Sequence, residues 1–258
     1  MPEGDTVYRT AKNLNAALAG AEIIRSDFRV PKFATVDLSG ATIDEVVPRG
    51  KHLLMRAGEH SIHSHLKMEG SWHLYRHGTA WRRPAYTARV VIETADWVAV
   101  GFSLGIIEVI ARDAEDSVVG HLGPDILAPD WRADVALGRV LADPERPVGI
   151  VLLDQRVIAG LGNVYRNELC FLRGVLPTRP VGEVPDPKRL VALAHSLITA
   201  NKDRVERTTT GRLRGTTDWV YGRRGKPCLR CGTSIREGTL GVNELELRNT
   251  FWCPRCQT

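Results

Sequence analysis

The chain has 258 residues, 43% hydrophobic and 25% charged, which suits a globular protein of two domains with separate cores. It contains no run of about 18 apolar residues that would read as a transmembrane helix. Nor does it open on the basic stretch and apolar core of a signal peptide, so a cytoplasmic protein is expected. The net charge of +5 is unevenly spread. Residues 1–131 carry 14 Lys and Arg against 17 Asp and Glu, residues 132–258 carry 21 against 13, and residues 202–236 alone carry 10 against 3. A concentrated, arginine-dominated positive field suits a polyanion, since guanidinium groups bind phosphate bidentately.

The opening "MPEGDTVYRTAKNLNAAL" predicts a helix after Glu3, with an apolar stripe of Val7, Leu14 and Leu18 beside Ala11 and Ala17. Pro2 suits a first turn, and Glu3 lies at the positive end of the helix dipole. Removal of Met1 would leave a secondary amine on Pro2 next to a carboxylate, a nucleophile beside a proton-transfer partner. Short β-branched runs follow: "AEIIRSDFRV", "ATIDEVVPRGKHLLMRA", "HSIHSHL", "ARVVIETADWVAVGF" and "GIIEVIA". They predict a β-sandwich or barrel in place of alternating βα units. Pro and Gly residues in "HLGPDILAPDW" mark a boundary. Beyond it "ADVALGRVLAD", "VGIVLLD", "GNVYRNELCFLRG" and "PKRLVALAHSLITANKDRVERT" predict helices, and the Gly- and Arg-rich stretch 208–226 predicts a mobile polar loop.

Four of the five cysteines stand in two Cys-x-x-Cys pairs, Cys228 with Cys231 and Cys253 with Cys256, separated by 21 residues. The spacing matches a four-thiolate zinc ribbon holding one structural Zn2+. Such an ion supplies roughly 10–16 kcal/mol to a segment too short to bury its own core. Two disulfides are the competing reading and sit poorly in a chain without an export signal. The fifth, Cys170, reads as a small buried hydrophobe.

Four separated motifs coincide: "PEGD" at the start, "RGKHLL" at 49–54, "DQRVIAGLGNVYRNE" at 154–168, and a terminal Cys-x-x-Cys leading to "RNTFWCPRCQ". Together they resemble the formamidopyrimidine-DNA glycosylase and endonuclease VIII family of base-excision repair enzymes along the whole chain, and its endonuclease VIII-like members more than the 8-oxoguanine enzyme. The resemblance implies an α+β protein: an N-terminal helix and β-sandwich over residues 1–122, a linker over 123–132, a helix–two-turn–helix DNA-binding domain over 133–222, and a zinc ribbon over 223–258. It implies a bifunctional glycosylase that removes oxidised bases through a Schiff base on Pro2 and cuts the abasic site by β,δ-elimination. Glu3 would shuttle the proton and Lys51 would act as an acid or phosphate contact. Arg248 would reach from the ribbon hairpin toward the phosphates flanking the lesion. Asn163, Arg166 and Arg223 would contact DNA, and Met68 would fill the hole left by the flipped base.

Bland readings stand beside these. Lys51 is also an ordinary turn lysine, Asn163 an N-cap, Arg248 an ordinary strand arginine, and Met68 a core residue. His63, His65 and His73 read as structural or phosphate-adjacent. Two departures bear on specificity. Thr6 stands where many members carry a second acid, a role Asp5 could supply, and "VGFSLGIIEV" stands where the 8-oxoguanine enzyme has "DPRRFG". They favour oxidised pyrimidines or single-stranded lesions. The implied partner is damaged DNA, double- or single-stranded, bound by a monomer associated with the nucleoid. Two alternatives remain: an abasic-site lyase with little base excision, and a non-catalytic nucleic-acid-binding module, which needs neither Pro2 nor Glu3.

Overall fold

The computed structural model describes residues 2–258, so Met1, whose removal the amine chemistry requires, lies outside the described residues. The chain divides into two compact units at His121 and Leu122.

In the first unit, helix α1 (Gly4–Leu18) buries Val7, Ala11, Leu14 and Leu18, the expected stripe, with Ala17 at its edge. Glu3 is the N-cap and Gly4 the first helical residue. Pro2 therefore stands outside the first turn, a correction to the helix-start expectation. Two four-stranded antiparallel sheets face this helix and each other. One runs in the order β1 (Arg25–Phe28), β6 (Ala88–Glu93), β7 (Val98–Phe102), β5 (Ser71–Tyr75). The other runs β2 (Ile43–Arg49), β3 (His52–Ala57), β4 (His60–His65), β8 (Ile106–Ala111). Val90, Ile92 and Ala99 from the first sheet meet Leu53, Met55, Ile62 and Ile107 from the second in one core with α1. The amide of Asn15 in α1 accepts from Val46 N of β2 at 2.7 Å, which fixes helix to sheet. The other face of the first sheet buries Tyr75, Val91, Val98, Val100 and Phe102 beneath Trp81. Apolar demand on both faces explains why β6 and β7 read as near-continuous apolar runs. Strand β5 was not among the expected runs, because its "SWHLY" mixes polar and aromatic residues without clean alternation. The unit closes with the short α2 (Asp116–Val119).

In the second unit, α3 (Ala133–Val140), the single-turn α4 (Val148–Val151), α5 (Asn163–Arg173) and α6 (Pro187–Thr199) surround a core of Val148, Leu152, Leu161, Tyr165, Leu169, Cys170, Leu190 and Ile198. Cys170 is fully buried, as expected, and burial pushes its thiol up to about 12. Helix α6 stops at Thr199, short of the expected run to 208. Its start is capped by Asp186, whose carboxylate accepts from Arg189 N at 3.0 Å, with Pro187 at the first position. Strands β9 (Arg236–Leu240) and β10 (Arg248–Trp252) form a two-stranded hairpin over a small core of Phe171, Val220, Ile235 and Phe251.

Candidate active site and nucleic-acid interface

In the first unit the candidate residues lie at the head of α1 and in two tight turns. Glu3 has extended backbone (φ −124°, ψ −171°); its carbonyl accepts from Val7 N at 3.0 Å to start the helix. Its side chain is 0% exposed and does not cap its own helix. Pro2 beside it is partly exposed. Asp5, the substitute weighed for the missing acid at Thr6, is buried, and its carboxylate accepts from Thr6 N at 2.7 Å.

Lys51 occupies the two-residue turn between β2 and β3, closed by the Arg49–His52 pair. Gly50 takes φ 59°, the left-handed conformation such turns require. Met68 is 66% exposed in the turn between β4 and β5, which excludes the core reading. That turn is sharp. Gly70 N donates to Leu66 O at 2.9 Å, and a Cβ at Gly70 would lie 2.4 Å from the same oxygen. Between β7 and β8 only residues 103–105 intervene, with Ser103 at φ 47° and Leu104 buried in the core. No loop projects there, in keeping with the absence of "DPRRFG".

The three singled-out histidines do not form one group. His73 packs on the first sheet against Tyr75 and Phe102. His63 and His65 lie on the second, joined by His52 and His121, which sequence reasoning passed over. Burial and the surrounding cationic groups push His52 down to about 3 and His65 to about 4.

In the second unit α5 is the organising element. Gly162 is its N-cap, so Asn163 is the first helical residue and not the cap. Asn163, Arg166 and Asn167 share one face at i, i+3, i+4 spacing. Asn163 Nδ2 and Arg166 NH2 each donate to Asn249 O at 2.9 Å, and Arg166 NH2 also reaches Thr250 Oγ1 at 2.7 Å. Asn167 Oδ1 accepts from Phe251 N at 2.7 Å. The three side chains clamp β10 and leave Arg248, one residue earlier, exposed. Two candidates are corrected here. Arg166 is fully buried and braces β10 from within, and Arg223 is 8% exposed and donates to the carbonyls of Trp219 and Pro227. Neither presents its guanidinium to a ligand.

Sequence reasoning missed Glu168. Fully buried, it accepts from Trp219 N at 2.7 Å, from Val220 N and Tyr221 N at 2.9 Å each, and from Thr209 Oγ1. Burial pushes its carboxyl up against these hydrogen bonds. The expected free loop 208–226 is thereby pinned at both ends of its exposed tip. A glutamate inside the "RNE" motif, on the face opposite a basic loop, was the available signal.

The four cysteine Sγ atoms lie within 4.8 Å of one another, with Cys231–Cys253 at 3.5 Å and Cys228–Cys256 at 4.0 Å. A tetrahedron with roughly 2.3 Å bonds has edges near ~3.8 Å, so the cluster can hold a metal ion. Gln257 fastens it to the segment just past the C-terminus of α5: it accepts from Cys253 N at 2.8 Å and donates to Val175 O at 2.9 Å.

A β-sandwich entered by an N-terminal Pro-Glu helix, and a helical unit closed by a four-cysteine hairpin, define the class. Residues 1–103 match the formamidopyrimidine-DNA glycosylase N-terminal domain, and residues 122–212 match the H2TH domain of the same enzymes. The chain belongs to the formamidopyrimidine-DNA glycosylase family. Over its full length it is 54% identical to the DNA-(apurinic or apyrimidinic site) lyase Nei2 of Mycolicibacterium smegmatis, covering 99% of that protein. It is 53% identical to probable endonuclease 8 2 of Streptomyces coelicolor, covering 94%, and 34% identical to endonuclease 8 1 of Mycobacterium tuberculosis, covering 100%. Its fold matches Lactococcus lactis Fpg, solved with abasic-site DNA, at a TM-score of 0.82 and 22% identity, with both chains fully covered. No helix among the described residues is long and apolar enough to cross a membrane.

Proposed function

We propose that this chain is a DNA glycosylase with abasic-site lyase activity, and the observation that carries it is the Pro2–Glu3 pair at the head of α1. Once Met1 is removed, the Pro2 amine attacks C1′ of the damaged nucleoside and the base departs as a charged iminium forms. An α-amine titrates near pH ~8, so little perturbation is needed for nucleophilicity. Glu3 donates a proton to open the sugar ring and later takes one back. Loss of a C2′ proton then drives β-elimination of the 3′ phosphate, and δ-elimination releases the 5′ one. Lys51, on a turn fixed by two strands, serves as acid or phosphate contact, and Met68, thrust out by its turn, fills the vacated stack.

In the second unit Asn163 and Arg248 bind the backbone, while Arg166 and Arg223 support them from inside. Cys228, Cys231, Cys253 and Cys256 hold one structural Zn2+, whose chemistry is to lock the hairpin through four thiolate bonds. We place the helix–two-turn–helix part at 133–222 after a 123–132 linker, with the ribbon at 223–258 and the sandwich domain at 1–122. The substrate is damaged DNA in either strandedness, with oxidised pyrimidines favoured, bound by a monomer at the nucleoid. The printed name of the Mycolicibacterium smegmatis relative favours a second reading in which abasic-site cleavage dominates.

Borohydride trapping tests both, on oligonucleotides carrying thymine glycol, dihydrouracil, 8-oxoguanine or an abasic site, with intact mass read in parallel. An adduct on protein lacking Met1 is expected. An adduct with the abasic site alone selects the lyase reading. No adduct from protein with a free Pro2 would mean a binding module or an inactive homologue.

A further inference from the structure

The outer face of the β2–β3–β4–β8 sheet carries an imidazole group that the proposed chemistry does not use. His52 pairs with His65, and His63 with Glu108, so all four share that face, while Leu53, Met55, Ile62 and Ile107 point into the core. His63 is 2% exposed. Its Nδ1 lies 2.9 Å from Glu108 Oε2 and its Nε2 lies 2.8 Å from His52 Nδ1. His65 meets His52 edge-on with ring centroids 4.9 Å apart, and His121 stands at 6.2 Å. Lys51 and Lys67 are the cations facing this group, and Glu108 is its anion. The group lies at the end of the sheet where the Lys51 turn and the turn leading to Met68 emerge.

Donor and acceptor roles follow from Glu108. A carboxylate only accepts, so His63 Nδ1 carries a proton. In neutral His63 the Nε2 is then bare and accepts from His52 Nδ1–H. This leaves His52 Nε2 bare as well, and it has no hydrogen-bond partner among the described residues. A bare ring nitrogen repels a phosphate oxygen. One added proton changes this without breaking a hydrogen bond. It binds His52 Nε2, the His52 Nδ1 proton passes to His63 Nε2, and the positive charge rests on His63 between Glu108 and His52. The outward nitrogen of His52 has turned from acceptor to donor.

We propose that the Glu108–His63–His52 chain is a one-proton tautomer switch that makes His52 a phosphate-binding residue when DNA docks. The inference rests on the reading that a backbone phosphate docks at the Lys51 turn. The incoming anion favours the protonated chain, so binding is coupled to proton uptake.

The test uses the full chain and a duplex containing a tetrahydrofuran abasic analogue, which cannot form the imine. Calorimetry at a series of pH values from about 7 down to about 5, in buffers of different ionisation heat, should give proton uptake per complex that grows toward one as pH falls, with affinity rising alongside it. Glu108→Gln keeps an acceptor but loses the charge that holds the imidazolium, and should lose most of the uptake. His52→Phe should do the same, while His121→Gln keeps it. Unchanged uptake in Glu108→Gln and His52→Phe overturns the proposal. So does an Nε2–H tautomer of His52 in the imidazole nitrogen spectrum of the free protein near neutral pH. Wild-type protein that binds no DNA at any pH overturns the nucleic-acid reading itself, an outcome told apart because the nitrogen spectrum still shows whether the chain is wired as described.

Discussion

Two hairpins carry the candidate cations, and they are held by opposite means. The Lys51 hairpin belongs to a four-stranded sheet backed by α1 and a continuous apolar core. The Arg248 hairpin has two strands only, too few to be stable in water alone. It relies on four cysteines and on the polar side chains of α5. The comparison teaches that the first depends on burying apolar area, whereas the second depends on polar groups all finding their partners. Removing one such group should matter far more in the second unit than in the first.

The largest expected effect is on the metal cluster. Cys253→Ser should release the bound ion, forfeit much of a binding energy of roughly 10–16 kcal/mol, and abolish DNA binding. Elemental analysis with hydrogen exchange should show protection lost around β9 and β10 and retained in the sandwich. Unchanged metal content would refute the ribbon. Next comes Glu3→Gln, which should cut base excision by about 10²–10⁴-fold, the scale of a lost general acid, with DNA binding intact. Full activity in this variant would sink the assignment. Glu168→Ala should cost roughly 3 kcal/mol, because one buried and two part-buried N–H groups lose their acceptor, and urea titration reads it directly. Arg248→Ala should weaken DNA binding by about 1 kcal/mol and lower the salt slope by about one, leaving Tm unchanged because the side chain is exposed.

The smallest effect is a pH dependence in the first unit. Arg56 NH2 lies 2.6 Å from Glu115 Oε2 and holds that carboxyl below its ordinary value. A depressed carboxyl contributes stability at neutral pH that disappears as pH falls through the ordinary carboxylate range, about pH 4, and below. Glu115→Gln should therefore flatten the acid decline of Tm slightly between about pH 5 and 3.

Legibility in the sequence followed the same division. In the first unit the α1 stripe, seven of the eight strands and the Lys51 turn could be read locally, because periodicity and turn chemistry are local signals. The cysteine pairs could be read because metal geometry imposes spacing. What escaped was every relation between a side chain and distant backbone. Nothing near Arg166 indicates that its partner is the carbonyl of Asn249, 83 residues away. Glu168 likewise meets amides 51 to 53 residues further on. The histidines failed similarly. His63 and His73 look alike along the chain, and only sheet assignment sends one to Glu108 and the other to Phe102.

The grip of α5 has a consequence for how this region can change. Asn163 and Asn167 hold β10 by a carbonyl and an amide of the main chain, and Glu168 holds the 219–221 segment by three main-chain amides. Main-chain partners place no demand on the identity of the residue that supplies them. Residues 212–214 and position 249 can therefore accumulate substitutions while Arg248 keeps its place and the scaffold stays as it is, whereas Gly211 and Gly215, at φ 76° and 80°, cannot.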